Sequence, residues 1–96
     1  MTADAVRIVR NEDAHRYELF VGDELASYTE FDGSGVVVLP HTVTLDEFRG
    51  RGLAEQLVRF ALDDIRSRGE KIVPKCPYVQ RFLSEHTEYA DLVSGE

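Results

Sequence analysis

The stretch DEFRGRGLAEQL, residues 46–57, sets Arg49, Gly50, Arg51 and Gly52 in succession and then turns into apolar residues at helical spacing. Leu53, Ala54, Leu57, Val58, Ala61, Leu62 and Ile65 form one stripe, which predicts an amphipathic helix from Leu53 to Arg68. A helix usually begins on Ser, Thr, Asp or Asn, whose side-chain oxygen accepts one of the unpaired amide protons of the first turn. Here the cap candidates are Gly50, Arg51 and Gly52, and none has a side chain that can accept. Backbone N–H groups therefore face outward at the positive end of the helix dipole, beside two guanidinium groups. Two readings follow. A phosphate or pyrophosphate would satisfy donors, dipole and arginines together, with the missing Cβ atoms allowing close approach; alternatively, water caps the turn and the arginines are solvated. The spacing matches neither a Walker loop nor a dinucleotide fingerprint. Further along, Glu55 and Arg59 stand four apart in the favourable order, Arg66 and Arg68 complement the negative end, and Gly69 supplies the stop.

Upstream, the first 45 residues read as strands separated by turn signals. Val6 and Ile8 alternate with arginines and are ended by NEDA; HRYELFV places Tyr17, Leu19 and Val21 on one face; ELASYTEF follows after Gly22-Asp23, a pair suited to a tight hairpin. DGSG at 32–35 marks another reversal. The next strand, VVVLPHTVTL from Val36 to Leu45, is the most apolar and is expected to be central, yet it carries Pro40, which cannot donate to a ladder. A bulge is predicted halfway along it. Downstream come a short strand KIVPKC, a helix around VQRFLSEH and the tail TEYADLVSGE. The order β-β-β-β-α-β-α predicts an α+β fold, an α/β sandwich with a mostly antiparallel sheet and a splayed, bulged central strand.

Ninety-six residues make a single domain, 1–96. The composition, 43% hydrophobic and 30% charged, is that of a folded globular chain. A formal net charge of −7 argues against a partner recognised through phosphates, so no nucleic acid is expected, and it suits a cationic partner or simple solubility. No apolar stretch approaches the roughly 20 residues that span a bilayer, and the N-terminus lacks the basic start and apolar core of a signal peptide, so no membrane association and a cytoplasmic location are expected. The single cysteine cannot form an internal disulfide.

Arg49 to Ala54 reads R-x-x-G-x-A, which resembles the acyl-CoA pyrophosphate loop, Q/R-x-x-G-x-G/A, of the GCN5-related N-acetyltransferases (GNAT). The flanking LPHTVTLDEFRGRGLA and IVPKCPYVQRFLSEHTEYADLV are similar to the very short, single-domain branch of that superfamily. The likeness covers residues 36–93, and the first 35 residues match in strand pattern alone. It implies a GNAT-like fold in which the strand before the loop splays from its neighbour at a bulge near Pro40 and His41 and the pantetheine arm of the cofactor, acetyl-CoA or CoA, lies in the gap. Backbone groups of Val43, Thr44 and Leu45 would hold pantetheine, amides of Gly50, Arg51, Gly52, Leu53 and Ala54 the pyrophosphate, and Arg49 or Arg51 would add charge-assisted contacts to phosphate oxygens. No metal is implied.

Acetyl transfer needs an oriented neutral amine, a donor for the developing oxyanion, for which a backbone N–H at the bulge serves, and a proton for the departing thiolate. His41 is the candidate base, its alternative being a histidine hydrogen-bonded within the sheet. The likeness of CPYV to the short family's cysteine motif implies that Cys76 contacts the thiol end or accepts the acetyl group transiently; the plainer reading is a small buried hydrophobe. Larger relatives place an acidic tyrosine on the last helix where this chain has Phe82, so Tyr78 and Tyr89 are the alternative acids, or else packing residues. Thr87 stands where the short family often has proline, and His86 reads as a surface or capping residue. The expectation is an acetyl-CoA-binding N-acetyltransferase acting on a primary amine (a lysine, an N-terminus, a polyamine or another small amine), as a monomer or weak dimer. Its rivals are a non-catalytic acyl-CoA-binding or sensor module and an interaction domain whose RGRG turn merely starts a helix.

Overall fold

A computed structural model describes residues 5–94. Strands β1 (Val6–Asn11), β2 (Arg16–Val21) and β3 (Glu24–Glu30) run antiparallel in order, β2 and β3 joined through Gly22 at φ +60°. The expected fourth strand is two. Val36–Leu39 (β4) and Thr42–Thr44 (β5) are separated by Pro40 and His41 and belong to different sheets. β5 pairs antiparallel with β3, completing a four-stranded sheet of order β1-β2-β3-β5, whereas β4 pairs in parallel with β6 (Lys71–Pro74). The proline thus does more than bulge a strand: with no N–H at residue 40, the chain leaves one ladder and enters the other. A single bridge between Asp32 and Val38 ties the two sheets above the break.

Helix α1 (Leu53–Ser67) lies on one face of the larger sheet and buries Leu57, Val58, Ala61, Leu62 and Ile65. These meet Tyr17, Leu19, Val37, Leu39 and Ile72 in one core. The helix ends as the sequence predicts. Gly69, at φ +72°, donates to the Arg66 carbonyl and Glu70 to that of Ile65, the paired bonds of a Schellman motif. A short helix α2 (Pro77–Glu85) follows β6, with Pro77 in its first turn and Cys76 at its N-cap, and it starts two residues earlier than VQRFLSEH suggests. A 3₁₀ segment, Thr87–Leu92, closes the described chain, and the Ser94 N–H donates to the Ile72 carbonyl at 2.8 Å.

One polar cluster clamps α1 to the sheet. The buried Tyr17 hydroxyl donates to Asp64 at 2.8 Å, and Arg68 donates to the same carboxylate from one helical turn away at 2.8 Å. Arg10 reaches Tyr17 and, at 3.4 Å, Asp64. Burial works to raise the Asp64 pKa, but the bonds from Arg68 and Tyr17 outweigh it and hold the carboxyl below its ordinary 3.8. A depressed carboxyl contributes stability that is complete above its unfolded-state value and is lost as pH falls through the folded one. The stability difference between wild type and Asp64→Asn, measured by denaturant titration, is therefore expected to be constant above about pH 5 and to shrink steadily as pH falls past 3.8.

Candidate functional site

The separation of β5 from β6 leaves a split in the molecule, and the turn before α1 opens onto it. Up to Leu39 the chain stays with β6 and the residues after it: the Leu39 carbonyl accepts from both Lys75 and Cys76, at 3.1 and 2.9 Å. Beyond that point β5 remains with β3 while the chain after β6 turns into α2. The space between is a cleft of about 330 Å³ lined by Thr42, Thr44, Phe48, Arg49, Gly50, Gly52, Leu53, Ala54 and Tyr78.

Two sets of backbone groups lie along it, unpaired among the described residues except for the Thr44 carbonyl, which accepts from Arg49 Nε at 3.5 Å. Gly50 and Gly52 have φ of +82° and +73°, so the chain turns sharply through left-handed conformations and Gly52 becomes the N-cap of α1, with no side chain capping it. Among the described residues, nothing accepts a hydrogen bond from the N–H groups of Gly50 through Glu55. The second set is on β5. Its register with β3 aims the peptide groups of alternate residues at that neighbour: the His41 carbonyl accepts from Glu30, Val43 lies opposite Tyr28 with its carbonyl also taken by the Ser27 hydroxyl at 2.8 Å, and the Leu45 N–H donates to Ala26. The N–H and C=O groups of Thr42 and Thr44 point the other way, into the split. Of the backbone groups expected to face the split, Thr44 does so, and Val43 and Leu45 do not. Thr42 takes their place, because a one-residue step along a strand reverses the direction of every peptide group.

The charged side chains sit around this cleft. Arg49 lines it, 3.3 Å from Asp46 and 3.5 Å from the Thr44 carbonyl. The Arg51 guanidinium lies 5.3 Å from the Phe48 ring and borders a second hollow on the β1 side of α1. Tyr78 stands on the opposite wall, its phenol raised above the ordinary range by burial and then by Glu55 and Glu85, so it holds its proton at neutral pH.

Cys76 is buried behind Thr42, a residue of the cleft wall, and its thiol meets a chain of hydroxyls. Cys76 Sγ is 3.4 Å from Thr42 Oγ1, which is 2.9 Å from Thr29 Oγ1, which is 3.3 Å from the His41 carbonyl oxygen. The last group only accepts, so one ordering of protons fills every bond: Thr29 donates to the carbonyl, Thr42 to Thr29, and the Cys76 S–H to Thr42. A parallel pair, Ser27 with Thr44 at 3.0 Å, satisfies the next hydroxyls along the same strands. The alternation of TVT in an otherwise apolar stretch was the sequence signal for these inward threonines.

His41 stands apart from this group. Its side chain is on the sheet face opposite α1, where Nε2 lies 3.0 Å from Glu30 Oε1. The three residues singled out for chemistry are therefore not in one cluster: Tyr78 borders the cleft, Cys76 is buried behind Thr42, and His41 flanks the split from the other side. Phe82 is buried against Tyr89 and stacks on the His86 ring at 4.0 Å between centroids. His86 Nδ1 lies 2.9 Å from the Phe82 carbonyl, consistent with a capping residue. Tyr89 is buried and donates to Asp63 at 2.7 Å, so its hydroxyl is committed to packing α1 against the 3₁₀ segment.

The sequence profile of the GCN5-related N-acetyltransferases matches residues 16–92. The chain belongs to this family. Among relatives, Protein NATD1 of Homo sapiens is 37% identical over 57 residues, covering 59% of this chain and 50% of that protein; Protein NATD1 of Danio rerio is 30% identical over 73 residues, covering 74% and 66%. The match to the human protein thus spans half of that protein's length. Among solved structures, a GCN5-like protein from Staphylococcus aureus superposes with a TM-score of 0.69 at 16% identity, over 100% of this chain and 93% of the other. A ribosomal-protein-alanine N-acetyltransferase from Brucella melitensis gives 0.63 at 15% identity, over 99% and 94%. At these identities the likeness is one of fold, and it extends to the mixed α/β architecture with a mostly antiparallel sheet.

Proposed function

We propose that this chain is a minimal acetyl-CoA-dependent N-acetyltransferase that acylates a primary amine, such as a lysine side chain, a protein N-terminus, a polyamine or another small amine. The observation that carries the reading is the convergence on one cleft of two sets of backbone groups, free among the described residues but for the long bond from Arg49 to the Thr44 carbonyl. Amides of Gly50 through Ala54, at the positive end of α1, suit a diphosphate, and Arg49 adds charge beside them. The outward peptide groups of Thr42 and Thr44 suit an extended arm that itself carries amides, as pantetheine does. Other ligands would use one set and leave the other idle.

The coenzyme supplies an activated acyl thioester when bound; the remaining tasks fall to the chain. Thr42 N–H, at the strand break, would donate to the negative charge that develops on an acyl oxygen. The protonated Tyr78 phenol, which lines the cleft, is the group with a proton to give a departing thiolate. Because the hydroxyl chain takes the Cys76 S–H as a donor, Cys76 orients Thr42 and is not assigned the role of nucleophile. His41 is the base that would take a proton from the amine.

The test is release of free CoA from acetyl-CoA with a panel of amines. Turnover on at least one amine is expected, falling about tenfold or more in Tyr78→Phe. Thermal stabilisation by CoA with no turnover on any amine would instead make the domain an acyl-CoA-binding module.

A further inference from the structure

We propose that Glu30 is a positioning residue that fixes which nitrogen of His41 is free on the open face of the sheet, an inference whose consequence for catalysis rests on the acetyl-transfer reading above. Glu30 and His41 are directly opposite each other where β3 passes the strand break, and the Glu30 N–H donates to the His41 carbonyl at 3.2 Å. Opposed residues of antiparallel strands project to the same side. Here that side is the face opposite α1, and it brings Nε2 to 3.0 Å from Oε1. An ionised carboxylate only accepts, so Nε2 carries the proton and, in the neutral ring, Nδ1 keeps the lone pair.

Among the described residues, Glu30 has this one side-chain partner. Arg16 lies opposite Glu30 in the register, but its guanidinium is taken by Glu18 and lies 4.4 Å from the centre of the Tyr28 ring. Stability does not require the Glu30–His41 pair either, since the two side chains are 38% and 55% exposed and ion pairs of that kind contribute little. The location is what gives the pair a use. On its other face the sheet is closed by the packed residues of α1, whose glycine turn is where the coenzyme would enter. An amine reaching the split from the remaining direction crosses the face that carries His41. An ammonium arriving there meets a carboxylate that attracts it and an imidazole whose free nitrogen is set by that same carboxylate.

Two measurements test this. Proton–nitrogen correlation spectra of the histidine rings, recorded about two pH units above the ordinary imidazole value of ~6.5, are expected to show His41 as the Nε2–H tautomer in wild type and in Glu30→Gln, whose amide oxygen still accepts, and as a mixture of tautomers in Glu30→Ala. Steady-state kinetics are expected to show kcat lowered about tenfold in Glu30→Ala, within about threefold of wild type in Glu30→Gln, and an unchanged KM for acetyl-CoA, with no further effect of Glu30→Ala once His41 is alanine. Identical tautomer populations in wild type and Glu30→Ala would overturn the proposal, as would a loss of kcat that persists in the His41→Ala background. If wild type turns over no amine, the acetyl-transfer reading fails, while the tautomer comparison still decides whether Glu30 orients the ring.

Discussion

Replacing Gly50 and Gly52 together by alanine is expected to weaken binding of CoA by roughly ten- to a hundredfold while moving the melting temperature of the free protein by only a few degrees. The expectation comes from backbone conformation and not from crowding. A Cβ built on either glycine meets nothing within 4 Å, so space alone would permit alanine at both. Both residues, however, occupy left-handed φ values, where an L-residue costs roughly 1–2 kcal/mol. The turn is exposed and makes few contacts that could hold it in a strained shape, so it relaxes, and the N–H groups from Gly50 to Ala54 cease to converge. The cost then appears in the ligand, where about 1.4 kcal/mol is a factor of ten. Calorimetric titration of the double variant beside wild type reads this directly; equal affinities would mean that the turn is not the diphosphate site.

Phe82→Ala is expected to bring the free protein close to unfolding. The ring is 3% exposed, stacked on His86, tilted against Tyr89 at 5.9 Å, and covered by the Arg59 guanidinium at 5.6 Å. It is thus the residue through which α2, the 3₁₀ segment and α1 meet. Truncating such a phenylalanine costs about 3–5 kcal/mol, against a total of about 5–15 kcal/mol for a domain of this kind. At about 4–8 °C per kcal/mol for so small a domain, the melting temperature is expected to drop by at least about 12 °C. A drop under about 4 °C would show that the α2 layer is only loosely attached. The same packing shows that Phe82 serves the layer behind the cleft, and the phenol at the cleft itself is that of Tyr78.

What could be read from the sequence was local. The hairpin at Gly22-Asp23, the stripe that defines α1, its missing cap at Gly52 and its stop at Gly69 each depend on residues within a few positions of one another, and each stands in the structure. Pro40 announced a break. That the break divides the strand between an antiparallel and a parallel ladder depended on β3 and β6, partners far away in the chain, and no local pattern encodes that choice. The direction of the peptide groups on β5 depended on its register with β3, which is why Thr42 was missed and Val43 and Leu45 were assigned to the split. The hydroxyl chain from Cys76 to the His41 carbonyl and the pairing of Glu30 with His41 arise from the same cross-strand register.

The central claim is that the glycine turn and the split strand together hold an acyl-CoA. Isothermal titration of the wild-type protein with CoA tests it without depending on any acceptor amine. The account predicts saturable one-to-one binding, with the melting temperature rising as ligand concentration rises. No heat and no thermal shift at about 1 mM coenzyme would contradict it.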